Sequence, residues 1–124
     1  LLDELLDTIL AEEASVLVVR ALRLASEAVQ LQQRRQYREA EAKQREALGI
    51  YEKVLGEEHP RTATRYTSLA VYLATQGRNA EALPLLRGVL KVRQQVLGED
   101  HPDTATSYNN LASCLFRLGK RAEV

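Results

Sequence analysis

Apolar positions along the chain recur three and four residues apart almost throughout. Tyr108, Leu111, Ala112 and Leu115 stand at i, i+3, i+4 and i+7, one stripe of an amphipathic helix. Gly119 follows that stripe as a residue able to take positive φ, Pro102 suits its first helical position, and Asp103 sits where the helix dipole favours an anion. A second helix is predicted from about Ala80 to Val96. Ala82, Leu83, Leu86, Val89, Leu90 and Leu97 would point inward and Arg93 outward, with Pro84 near the start, where a missing N–H costs little. Val and Ile do not alternate with polar residues over any length, so strands are not expected.

The pattern repeats. Leu55-Gly56-Glu57-Glu58-His59-Pro60 returns as Leu97-Gly98-Glu99-Asp100-His101-Pro102, 42 residues later. Aligning 55–82 with 97–124 gives 15 identities in 28 pairs, too many for coincidence. Among them are Thr62/Thr104, Ala63/Ala105, Tyr66/Tyr108, Leu69/Leu111, Ala70/Ala112 and Gly77/Gly119. One step back, Ala21, Ala28, Leu31, Glu39, Ala40 and Leu48 align with Ala63, Ala70, Leu73, Glu81, Ala82 and Leu90. Each unit is predicted to be a pair of helices, because a 20–50-residue period marks stacked supersecondary units. The expected organisation is residues 19–60, 61–102 and 103–124 as successive repeats, the third reduced to its first helix, with 1–18 ahead of them. The first unit departs from the others at Glu27, Arg35 and Gln44, which replace Leu, Gly and an apolar residue. Leu24, Ala28, Leu31 and Tyr37 keep its helical pattern, with Tyr37 expected to pack between helices.

Within 1–14, Leu1, Leu2, Leu5, Leu6, Ile9 and Leu10 form an apolar face, with Asp3, Glu4, Asp7, Glu12 and Glu13 assigned to the other. Two roles stand open for this segment: a cap over the first repeat, or a partner-binding or dimerising helix. Ser15 offers an N-cap for a separate helix after it, yet no Gly or Pro forces a break, so one helix from about 3 to 34 is equally compatible.

The order of aromatic, Leu-small, large, Gly and Ala positions, with the twice-occurring L-G-E-[ED]-H-P-x-T-A-T junction, resembles tetratricopeptide repeats of the kinesin-light-chain-like type. The resemblance covers about residues 19–124. It implies an all-α fold, a right-handed α-α superhelix of about two and a half helix pairs plus an N-terminal helix. It also implies a concave face lined by the first helix of each pair. The positions so implied as peptide-binding are Thr64, Thr67 and Val71 in the second unit, and Thr106, Asn109, Asn110, Ser113 and Arg117 in the third. Ser68, Ala74, Thr75 and Phe116 flank them, and Ala25, Ser26, Val29, Gln32 and Gln33 are the first unit's counterparts. Thr106, Ala25 and Val29 stand where carboxylate-clamp repeats carry polar partners, so an internal acidic or hydroxyl-bearing segment fits better than a free C-terminus. The function implied is non-catalytic protein–protein interaction. The alternative is a regulatory or sensor module packed on another domain of a larger protein.

Composition narrows the partners. Seventeen Lys and Arg balance seventeen Asp and Glu, leaving no global field to attract nucleic acid or an anionic membrane. The basic run Arg34-Arg35-Gln36-Tyr37-Arg38 is expected to be a solvated turn. No apolar run reaches the length of a membrane span. The single cysteine, Cys114, has no partner for an internal disulfide, which fits a reducing, cytoplasmic compartment, and its place on a helix predicts a packed thiol. His59 and His101 are 42 residues apart at equivalent junctions and are expected to cap helices rather than bind metal. No phosphate loop, dinucleotide fingerprint or C-x-x-C occurs, so neither an enzyme nor a cofactor is expected. The chain begins without Met and stops inside the third unit, which points to a longer natural protein. The second helix of that unit should begin after Gly119. Without it, Leu111, Leu115 and Leu118 should form an exposed apolar end through which arrays self-associate.

Overall fold

The computed structural model describes residues 1–119. Five α-helices follow one another: α1 (Leu2–Gln33), α2 (Tyr37–Leu55), α3 (Pro60–Thr75), α4 (Asn79–Val96) and α5 (Pro102–Arg117). There are no strands among the described residues, so the chain is all-α, as expected. It divides into two compact units, Leu1–Gly56 and Glu57–Val124.

In the first unit α1 packs on α2. The buried core gathers Ala21, Leu24, Ala47 and Tyr51, with Ile50 and Leu55 against it. In the second, α4 packs on both α3 and α5. The 42-residue period is a period of burial. Ala21, Ala28 and Ala40 are fully buried, and so are Ala63, Ala70 and Ala82. Small side chains at these places let the two helices of each pair approach closely. The turns repeat too. Gly77 has φ 78° and the Arg78 N–H bonds back to the Leu73 carbonyl at 2.8 Å. Arg35, at the equivalent place, takes φ 62°, and the Gln36 N–H reaches the Leu31 carbonyl at 2.9 Å. The turn thus keeps its left-handed residue even where the sequence lacks glycine.

The structure decides one reading left open and overturns several others. α1 is one unbroken helix of 32 residues, and Ser15 starts nothing. Its buried residues lie only from Ala21 to Ala28, because α2 has 19 residues and faces only the C-terminal part of α1. At 100° per residue, Glu12 and Glu13 fall within the N-terminal apolar stripe rather than opposite it. Tyr37, assigned to pack between helices, is 40% exposed. Arg93, expected to be exposed, is buried at 7%. At the other end Leu115 is buried, so the supposed open face does not include it. Leu111 and Leu118 are half-buried, while Tyr108, Ala105 and Ala112 are exposed. The helix predicted to follow Gly119 lies outside the described residues.

Candidate binding cleft

α3 and α5 start identically. The Nδ1 of His59 accepts the Arg61 N–H at 3.1 Å, and that of His101 accepts the Asp103 N–H at 3.0 Å, each histidine in extended backbone just before a proline. A side-chain acceptor satisfies one orphan N–H of the first turn, and proline lacks one. The histidines therefore cap helices, as their spacing implied. Among the described residues no group of three or more His, Cys, Asp or Glu is placed to hold a metal ion.

Hydrogen bonds then fix α5 against α4. The buried Arg93 guanidinium donates to the Ser107 hydroxyl at 2.8 Å and to the Asp103 carbonyl at 3.2 Å. The Thr104 hydroxyl donates to the Gly98 carbonyl at 2.7 Å. Gln94 donates to the Tyr108 hydroxyl, which donates on to the Glu99 carboxylate. These bonds replace apolar packing along the N-terminal half of α5, where Thr104 and Ser107 are the buried residues. Farther along, the Cys114 thiol is buried and lies 3.3 Å from the Asn79 carbonyl. Burial pushes its pKa above the ordinary thiol value, against the smaller opposing pull of the Arg117 and Arg87 charges.

With α5 so placed, a cleft of about 450 Å³ opens between α3 and α5 over α4. Ala70, Val71, Ala74 and Thr75 form one wall; Asn110, Ser113, Cys114 and Arg117 form the other; Leu86 contributes from α4. Four of the residues expected to bind peptide, Val71, Asn110, Ser113 and Arg117, therefore share this space. Thr64, Thr67, Thr106 and Asn109 do not line it. The hydroxyls of Thr64, Thr67 and Thr106 donate to the carbonyls of Pro60, Ala63 and Pro102 in the turn before them, which leaves them acceptors toward solvent. Ala70, Leu86 and Cys114 were assigned only to the core, although small side chains at a helix crossing are also what leaves room for a cleft.

The lining has one cation and no carboxylate. Arg117 ends α5, where the helix dipole favours positive charge. Val71 and Ala74 supply apolar surface opposite it, and Asn110 offers both a donor and an acceptor.

Residues 20–87, and again 65–123, match the family model described as tetratricopeptide repeat. The chain belongs to the tetratricopeptide-repeat family. No curated protein matches it. Tetratricopeptide repeats generally mediate protein–protein interaction and are typically non-catalytic, and stacked helix pairs of this kind offer extended concave surfaces to their partners. No helix among the described residues is long and apolar enough to cross a membrane.

Proposed function

We propose that this chain is a non-catalytic protein-interaction scaffold of kinesin-light-chain-like type, acting in the cytoplasm, that holds a peptide segment along the first helices of its repeats. The observation that carries this reading is the cleft between α3 and α5, which brings Val71, Asn110, Ser113 and Arg117 together around about 450 Å³. That space accommodates one or two side chains of an extended segment. An apolar wall beside a single cation favours an apolar residue next to an acidic one, with Asn110 bonding the segment's backbone. The subtype reading is supported by the 42-residue period and the doubled L-G-E-[ED]-H-P junction.

Selection from a random peptide library on the immobilised protein tests the proposal. Enriched peptides should carry Asp or Glu beside an apolar residue. The Asn110→Ala, Ser113→Ala, Arg117→Ala triple variant should bind them at least tenfold more weakly, about 1.4 kcal/mol, with helicity unchanged by circular dichroism. Peptides without acidic residues, or full affinity in the triple variant, would remove the cleft from the function.

A further inference from the structure

The N-terminal third of α1 carries the most exposed apolar surface described for this protein. Leu1, at the N-cap, and Leu2, Leu5, Leu6, Ile9 and Leu10, on the continuous helix, are between 49% and 96% exposed. Lone exposed leucines need no explanation, but six on one helical face mark a surface that other apolar surface covers. α2 is not that cover. The α1 residues buried in the first unit, Ala21, Leu24 and Ala28, lie on a stripe turned roughly 70° round the helix from the N-terminal one, taking 100° per residue. Leu6 and Leu10 share the bearings of Leu24 and Ala28, so whatever seats on the N-terminal stripe lies farther along α1 and reaches round to Leu2, Leu5 and Ile9.

Charge narrows the occupant. Residues 1–19 hold five acids, Asp3, Glu4, Asp7, Glu12 and Glu13, and no Lys or Arg. Glu12 and Glu13 interrupt the stripe itself, Asp3 lies at one rim, and Glu4 and Asp7 stand behind it. The same face on a second copy would bring like charges together. A membrane surface would want lysines and arginines at this rim, not carboxylates. A straight apolar stripe with i, i+3, i+4 spacing suits another helix, and the acids at its end and rim want cations opposite.

We infer that the face formed by Leu2, Leu5, Leu6, Ile9 and Leu10 docks an amphipathic helix of a partner protein whose apolar stripe is flanked by lysine or arginine. Glu12 and Glu13 set its register by pairing with those cations. This surface is separate from the α3–α5 cleft and holds whether or not the cleft binds peptide.

Two synthetic 14-residue amphipathic helices test it, one with leucine on one face and lysine on the other, the second with glutamate in place of lysine. Fluorescence anisotropy at physiological salt should show the lysine peptide binding at least tenfold more tightly than the glutamate peptide. L6S with I9S keeps every charge and alters only exposed positions outside the α1–α2 core, so the fold should persist. It should weaken the lysine peptide at least tenfold. E12K with E13K should erase or invert the preference. Lysine-peptide binding that survives L6S/I9S would reduce the contact to charge alone and overturn the inference. So would a mass that rises with protein concentration in sedimentation and is abolished by L6S/I9S, which would name a second copy as the occupant. Co-sedimentation with phosphatidylcholine vesicles would likewise overturn it in favour of a membrane.

Discussion

The two helix pairs α1–α2 and α3–α4 run on the same 42-residue plan with very different side chains. Both keep a fully buried alanine at three places, 21/63, 28/70 and 40/82. Elsewhere the first pair is the poorer version. Where α3 buries Leu69 at 1%, α1 has Glu27, paired with Lys43 across to α2 at 2.9 Å. Where α4 buries Leu86, α2 has Gln44, whose side-chain oxygen is buried without a hydrogen-bond partner. Where the α3–α4 turn has Gly77, the α1–α2 turn forces Arg35 to φ 62°. Where α2 buries Tyr51, α4 buries Arg93 at the equivalent position. The difference teaches that the closeness of a helix pair depends on a few positions kept as small as alanine. The larger positions around them tolerate carboxylates, amides and a strained arginine at a cost in stability.

The sharpest way to break this comparison is to fill a shared alanine. Ala70→Arg should cost about 4 kcal/mol, because it places excess volume and an unpaired charge at a helix crossing. Thermal unfolding followed by circular dichroism reads it, and a melting point within a degree of wild type would show that the methyl site is not closed. Next comes the position where the pairs exchange tyrosine for arginine. Arg93→Asp should cost about 3 kcal/mol, since it reverses a buried charge and strips Ser107 and the Asp103 carbonyl of their donor. Urea unfolding measures this loss, and a change below about 0.5 kcal/mol would return Arg93 to the surface, where such substitutions are nearly neutral.

Two substitutions should improve the first pair toward the second. Gln44→Leu restores the apolar residue of the repeat and removes an unbonded buried oxygen, so it should stabilise by about 1.5 kcal/mol in the same urea assay. Arg35→Gly relieves a left-handed conformation that costs a side-chain-bearing residue about 1–2 kcal/mol. Part of that gain is offset by glycine's greater freedom when unfolded, so the net should be a smaller stabilisation. Its mirror, Gly77→Arg, should destabilise. Opposite signs for the two substitutions are the expected result, and equal signs would mean that the two turns differ in kind.

Much of this was legible before any coordinates. The doubled Leu-Gly-Glu-x-His-Pro junction announced the period, and with it the helix starts, the histidine caps and the turn at residue 35. The end of α1's contact with α2 was not legible, because an amphipathic pattern does not say how far the neighbouring helix reaches. Arg93 was misplaced for a related reason. Hydropathy assigns a guanidinium to solvent, and only the fold reveals that a serine hydroxyl and a backbone carbonyl wait beside it. The spacing of Tyr108, Leu111 and Ala112 marks an apolar face of α5. Spacing records what a helix face can bury, whereas burial also requires another helix to lie over it. Half of the expected binding positions line the cleft and half do not. The sequence identifies a helix face, but the floor between two helices is set by the small residues at their crossing.

The anchoring of α5 by Arg93 has a consequence for time rather than energy. A helix tied to its neighbour by a buried guanidinium, a threonine hydroxyl and a tyrosine bridge does not need to be ordered by what enters beside it. A ligand meeting the α3–α5 cleft would find its walls already set. Its arrival would then follow simple second-order kinetics, with no slow conformational phase behind it. Loosening the anchor would leave the cleft's own side chains intact. It would instead introduce a delay, because α5 would have to find its place before each productive encounter.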